Sequence, residues 1–227
     1  MELSPRLKKI ADLIPVGSTI ADVGTDHAYI PIYCFENKII NKAIAMDVNP
    51  MPLERARQNL AKYGYIKKSE LRLSDGIEKL EKGETDVIVI AGMGGLLIRD
   101  IIESGKEKIT GSQILLIQPM IAPVELRSYL FENGFDIINE YVVREENKFY
   151  NIFVVCRQKT VANEEKLYIG KNLRQNSPDV FDDYIAYKVR VISKIISGME
   201  MAESPDAELI TKYKSELEIY RRYYEEV

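Results

Sequence analysis

Residues 19–31 read TIADVGTDHAYIP: a short run suited to a β-strand, a glycine at a sharp turn, then a segment suited to open a helix. Similar strand-like runs recur downstream, at 42–48 (KAIAMDV), 70–73 (ELRL), 86–90 (DVIVI) and 113–117 (QILLI). Between them lie helical segments, most plainly 52–63 (PLERARQNLAKY), where Pro52 suits the first turn, Leu53, Ala56 and Leu60 share a face, and Gly64 suits the stop. VIVI and ILLI lack polar alternation, which suits strands covered on both faces by helices, as in a parallel sheet. The expected class is α/β. After a helix near 124–133 the rhythm changes. Runs 135–144 (FDIINEYVVR) and 148–157 (KFYNIFVVCR) are separated only by Glu145, Glu146 and Asn147, so they form an antiparallel hairpin. Five parallel strands closed by an antiparallel pair predict a Rossmann-like, seven-stranded sheet. An ordinary dinucleotide-binding domain instead alternates strand and helix to its sixth strand.

The chain has 227 residues, with 31 Lys+Arg against 35 Asp+Glu and a formal charge of −4, so it is not dominated by positive charge. An apolar share of 46% with 29% charged is ordinary for a globular protein long enough to build one sizeable core and an appendage. No apolar run approaches the roughly 20 residues of a membrane span, and the opening MELSPRLKKIADLIP lacks a secretory signal core; a cytoplasmic location without membrane contact is expected. Cys34 and Cys156 lie far apart and His27 is the single histidine, so neither a zinc spacing nor a Cys–His pair is formed, and no metal is expected. Residues 163–227 carry no strand-like run but two stripes spaced alternately by three and four. The first is Ile185, Val189, Ile192, Ile196 and Met199; the second is Ile210, Tyr213, Leu217, Tyr220, Tyr224 and Val227. With Ser204, Pro205 and Asp206 as a cap, they predict an antiparallel helical hairpin. The expected division is an α/β domain over 1–160 and a coiled-coil domain over 161–227, in a monomer or weak dimer.

The first strand ends with Asp22, Gly24 and Asp26 at its carboxyl edge, the usual ligand crevice of such sheets. Only one of the three dinucleotide-fingerprint glycines is present: Asp26 and Tyr29 occupy the places of the second and third. A pyrophosphate is repelled by two carboxylates. A cationic ligand is attracted, and the sulfonium and α-amino groups of S-adenosylmethionine meet that requirement. The same residues also serve a plain strand-to-helix turn with solvated acids. Asp47 ends the second strand where an acid accepts from a ribose diol, or caps the helix behind Asn49 and Pro50. Ser74, Asp75 and Gly76 end the third strand, with Asp75 placed to accept from an adenine amino group. Gly92, Gly94 and Gly95 in AGMGG (91–95) remove bulk where a flat substrate approaches, or are simply turn glycines. Gln118, before Pro119 and Met120, offers an amide to a base edge. His27 is read as cofactor-proximal and held by backbone groups rather than as a base, and Tyr29 as packing.

The combination of DxGTDHAYIP, AGMGG, QPM and the late EENKFYNI resembles the bacterial tRNA (adenine-N1)-methyltransferase family acting on position 22 of tRNA. The resemblance spans the whole chain and implies a class I methyltransferase domain followed by a helical coiled-coil domain, with S-adenosylmethionine as cofactor and tRNA as partner. It implies donor contacts from Asp22, Gly24, His27, Asp47, Asp75, Gly76 and the Gly92 to Gly95 turn with Met93, and a catalytic Asp26 near the target adenine; beside it, the reading of the turns themselves assigns Gly95, Gln118 and Pro119 to substrate contacts. The family pattern usually has Ser where Thr25 stands and Asn where Met120 stands; the first change keeps a hydroxyl and the second removes an amide. Cationic residues such as Arg6, Lys67, Lys68, Lys188 and Arg190 offer a local stripe for RNA despite the acidic net charge. The rival readings are a class I methyltransferase acting on a small molecule or protein, and a noncatalytic RNA-binding module.

Overall fold

The computed structural model describes residues 1–160, 164–202 and 204–225; the predicted domain boundary at 161 and the seam residue Val227 lie outside them. Seven strands form one sheet: β1 (Ser18–Val23), β2 (Ile40–Asp47), β3 (Ser69–Leu73), β4 (Val87–Met93), β5 (Ile114–Pro119), β6 (Asp136–Glu145) and β7 (Lys148–Cys156), in the order β3-β2-β1-β4-β5-β7-β6. The first five are parallel, and β7 runs antiparallel to both β5 and β6. This is the Rossmann-like methyltransferase arrangement expected from the sequence. Alternation along each strand feeds two cores. Ala21, Val23, Ile44, Met46, Ile88, Ile90, Leu115 and Ile117 pack on one face. Ile20, Ala43, Val87, Val89 and Leu116 pack on the other. Each inner strand therefore needs apolar residues at both parities, which is why VIVI and ILLI show no polar alternation.

The first core is covered by α4 (Gly95–Gly105) and α5 (Pro123–Glu132), the second by α1 (Pro5–Asp12), α2 (Tyr29–Glu36) and α3 (Pro50–Lys62). Helix α1 was not anticipated, although Pro5 stands in its first turn and Leu7, Ile10, Ala11 and Ile14 make a helical stripe that packs on the sheet. The fourth strand also runs further than the apolar stretch suggests. It continues through Ala91 and Gly92 to Met93, with a register shift against β5 between Ala91 and Met93 and Gly92 at φ +78°. A left-handed residue in an irregular strand end is the circumstance that favours glycine.

Beyond β7 come two short helices not foreseen in the sequence, α6 (Glu164–Tyr168) and α7 (Leu173–Asn176), then the long pair α8 (Pro178–Glu200) and α9 (Ala207–Glu225). Ile185, Ile192, Ile196, Ile210, Leu217 and Tyr220 are buried, as the stripes predict. The seam is wider than a heptad, however: Ile219 is buried and Tyr223 packs inward, while Tyr224 is exposed. The reason is a second partner. One cluster joins α8 and α9 to Val142 of β6 and to Tyr168, Ile169 and Leu173, so the helical pair is partly embedded rather than a freely projecting coiled coil.

Polar groups fasten the same junction. Arg127 of α5 and Glu140 of β6 are 1% and 0% exposed and form a double hydrogen bond. Asn151 Nδ2 donates to Glu140 at 2.7 Å, and Arg127 Nη1 donates to the Leu167 carbonyl at 3.0 Å. Burial pushes the Glu140 carboxyl up, opposed by the guanidinium. Tyr220 Oη donates to the Tyr168 carbonyl at 3.0 Å, and Ser177 Oγ accepts from Val142 N–H at 2.9 Å. Among the described residues, no helix is long and apolar enough to cross a membrane and no cluster of side chains is fit to hold a metal ion.

Candidate active site

The carboxyl ends of β1, β2 and β3 are stitched side by side. Gly24 N–H and Thr25 N–H both donate to the Met46 carbonyl (2.8 and 2.9 Å), and Ser74 N–H donates to the Asp47 carbonyl at 2.9 Å. The strand-end acids are thereby brought to one edge. Asp22 is only 8% exposed, and Thr25 Oγ1 donates to its Oδ2 at 2.6 Å. Burial pushes its carboxyl from 3.8 up to about 6, against the Thr25 hydrogen bond and with help from the negative charge of Asp47. Such a group is ionised at neutral pH but poorly solvated, which favours an incoming cation. Gly24 has φ +74°, and a Cβ there would lie 2.1 Å from Met93 Cε. The left-handed conformation favours glycine at this point, and a Cβ would also push the end of the Met93 side chain aside.

A cleft of about 270 Å³ opens here, lined by Asp22, Gly24, Asp26, His27 and Gly92 among the expected residues, and by Arg6. Asp47, Asp75, Gly76, Met93, Gly94, Gly95, Gln118 and Pro119 do not line it. Asp47 Oδ1 accepts from Asn49 N–H at 2.7 Å, shaping the entry to α3, while its other oxygen has no hydrogen bond among the described residues. Asp75 is exposed next to buried Ser74, whose hydroxyl accepts from Lys79 N–H at 3.1 Å. Gly76, at φ +50°, leaves room for Ile101.

Asp26 is exposed and held on both sides. Arg55 of α3 donates to Oδ1 through Nε (3.0 Å) and Nη2, and His27 Nε2 lies 3.2 Å from Oδ2. The His27 ring stacks on Tyr29 with centroids 4.9 Å apart and an interplanar angle of 13°. A pure backbone-held role for this imidazole is thus replaced by contacts to a carboxylate and a ring.

On the far wall, Arg6 Nη1 and Gly92 N–H both donate to Gln118 Oε1, at 3.0 and 3.2 Å. Gln118 Nε2 donates to the Pro119 carbonyl at 2.9 Å, and the side chain is 0% exposed. Gln118 therefore has no face to offer a base edge; it fixes the β4 turn instead. Gly95 departs from expectation in the same way: it is buried, and a Cβ would lie 2.4 Å from the Ala122 carbonyl oxygen, so its bareness lets the start of α4 pack on the segment before α5. Two cationic residues take a part in the site that the strand-end pattern does not show: Arg6 lines the cleft, and Arg55, outside its lining, holds Asp26. The helical stripe of α1 was the available signal for the first. Nothing local pairs Arg55 with an acid 29 positions away.

S-adenosylmethionine carries a sulfonium, an amino group and a carboxylate. The cleft answers with buried Asp22, the Arg6 guanidinium and bare backbone at Gly24 and Gly92, so its residues fit that cofactor. Comparisons with known proteins agree. Residues 3–153 match the family model described as a methyltransferase domain. The tRNA (adenine(22)-N(1))-methyltransferase of Bacillus subtilis (strain 168) is 32% identical over 227 residues, covering 100% of this chain and 86% of that protein. Among solved structures, the B. subtilis m1A22 tRNA methyltransferase TrmK aligns with a TM-score of 0.86 at 30% identity, covering 98% of this chain and 99% of that one. A Streptococcus pneumoniae protein solved in complex with S-adenosyl-L-methionine aligns with a TM-score of 0.85 at 28% identity, covering 98% and 100%. With a match of this length and a cleft of this chemistry, the chain belongs to the tRNA (adenine(22)-N(1))-methyltransferase family.

Proposed function

We propose that this protein transfers a methyl group from S-adenosylmethionine to N1 of adenine 22 in tRNA, in the cytoplasm. The observation that carries the reading is the buried, ionisable Asp22 beside Gly24 at the end of β1, a seat for a cation where a dinucleotide fold would seat a phosphate. When bound, S-adenosylmethionine supplies an electrophilic methyl group on a positively charged sulfur. Asp22 would hold its amino group, Asp47 would offer its unengaged oxygen to the ribose diol, and Asp75 and Gly76 would border the adenine. Gly92, Met93 and Gly94 shape the wall nearest the acceptor.

Adenine N1 is a neutral nucleophile with an in-plane lone pair, so the chain's task is alignment and no enzyme nucleophile is required. Methylation leaves the base cationic. In this reading the Asp26 carboxylate stabilises that developing charge or accepts an amino hydrogen, and its contacts with Arg55 and His27, which fix its orientation, support the role. Gly95, Gln118 and Pro119 act on the acceptor side indirectly, by holding the β4 and β5 turns. The division into a catalytic domain over 1–160 and a tRNA-gripping helical arm over 161–227 belongs to the same proposal.

The test is incubation with unmodified tRNA and labelled S-adenosylmethionine, with the product nucleotide located by reverse-transcription stops and mass spectrometry. N1-methyladenine at position 22 is expected. Methyl transfer to another nucleotide, to a small acceptor without RNA, or to nothing at saturating donor would overturn the reading.

A further inference from the structure

Away from the donor cleft, an open groove of about 490 Å³ runs between the β6–β7 hairpin and the two long helices, lined among others by Arg144, Phe149, Asp183, Tyr187, Arg190 and Tyr224. Its composition is unlike the acidic donor cleft. Three aromatic rings line it, with two guanidiniums against them: Arg144 lies 5.8 Å from the Phe149 centroid and Arg190 5.9 Å from the Tyr187 centroid. The Phe149 and Tyr187 rings are 5.3 Å apart at 43°, splayed rather than stacked on each other. Tyr224 is half exposed at the rim. Arg144 Nη1 donates to Asp183 Oδ2 at 3.0 Å, but both partners are exposed, and such a pair holds its arginine weakly. Arg190 is exposed and forms no ion pair among the described residues.

The placement adds a second argument. Successive residues of a strand point to opposite faces. On β6, Arg144 lines the groove while Glu145 accepts from Arg6 N–H at 3.3 Å beside the donor cleft. On β7, Phe149 lines the groove while Tyr150 lies 5.6 Å beneath the Arg6 guanidinium. The hairpin tip is thus a thin wall between the two depressions.

Resting on the tRNA reading above, we propose that this groove is a second nucleotide subsite, stacking an unpaired base of the tRNA on Tyr187 and Phe149 and meeting its phosphate with Arg190 and Arg144. Aromatic rings interleaved with arginines are what sequence-tolerant binding of unpaired nucleotides uses. The subsite grips the substrate without touching the reacting atoms.

The test uses the full chain with S-adenosylmethionine and unmodified tRNA, comparing wild type with Tyr187→Ala, Tyr187→Phe and Arg190→Ala. Tyr187→Ala is expected to raise KM for tRNA about tenfold or more, the usual loss for one base–aromatic stack, with kcat and calorimetric affinity for S-adenosylmethionine retained. Tyr187→Phe, which keeps the ring, restores KM. Arg190→Ala weakens tRNA binding and lowers the slope of log affinity against log salt by about one. The proposal is overturned if a folded Tyr187→Ala keeps the wild-type KM, if Tyr187→Phe loses as much as Tyr187→Ala, if donor affinity collapses together with tRNA binding, or if Arg190→Ala leaves the salt slope unchanged. A dimer that Tyr187→Ala dissociates would also overturn it, because the occupant is then a second copy of the chain. A wild-type protein that methylates no tRNA removes the parent reading and this one together, whereas active wild type with indifferent variants removes only this one.

Discussion

Asp22→Asn should make the free protein more stable and useless at once. The wild-type carboxyl is raised from 3.8 to about 6, chiefly by burial. At about 1.4 kcal/mol per pH unit, keeping Asp22 ionised in the folded protein costs about 2–3 kcal/mol at neutral pH. The sign follows from the direction: with the folded pKa above the unfolded one, this cost is absent below pH 3.8, grows as pH rises, and is complete above about pH 6. Asparagine still accepts from the Thr25 hydroxyl and carries no charge to desolvate. The midpoint of thermal unfolding of the ligand-free variant should therefore rise by about 4–12 °C at pH 8, and the gain should shrink towards zero as pH falls below 5. Calorimetric titration of the same variant at pH 8 should show S-adenosylmethionine affinity reduced at least tenfold, since the buried counter-charge for the amino group is gone. A variant that melts no higher than wild type at pH 8, shows the same difference at pH 5 and pH 8, or binds the donor normally would refute the assignment of Asp22 as a strained cation seat.

In the wild-type protein, donor affinity measured by titration across pH 5–8 should be level above about pH 6 and fall roughly tenfold per unit below it, as Asp22 takes up a proton. Gly24→Ala should destabilise the protein by about 1–3 kcal/mol in urea unfolding and abolish donor binding. Adding Met93→Ala should relieve the 2.1 Å clash but not the left-handed backbone strain. Asp26→Ala should keep donor affinity while single-turnover methylation slows about 10²-fold or more. Arg127→Met alone should cost about 3–5 kcal/mol by stranding Glu140, and the double replacement Arg127→Met with Glu140→Met should recover most of that in denaturant midpoints.

Sequence periodicity was informative where a residue's surroundings are set by its neighbours in the chain. The apolar runs at 86–90 and 113–117 announce two-sided burial, and the three-residue gap after Arg144 leaves no geometry but a hairpin; both features appear as read. The acids at the strand ends were legible for a related reason, because parallel strands deliver their carboxyl ends to one edge. What escaped depends on partners far away in sequence. Gln118 reads as a free amide until Arg6, 112 positions earlier, and Gly92 are seen to occupy it. The spacing of the second helical stripe describes a heptad only for a helix with one partner. With α6, α7 and β6 as additional neighbours, Ile219 and Tyr223 turn inward and Tyr224 is left outside. Buried Arg127 and Glu140 could not be inferred at all: a charge in a core is tolerated only through its complement, and the complement is a property of the assembled molecule.

That sealed ion pair limits how the molecule can be taken apart. Cutting the chain after residue 158 would bare the apolar side of β6 and strip Arg127 of the Leu167 carbonyl, so the remnant would be a wounded catalytic module rather than a free one. It also restricts where flexing is cheap. With the roots of α8 and α9 clamped, bending to accommodate a bulky substrate falls to their outer ends, and a chimera that borrows this arm must import α5 and β6 to anchor it.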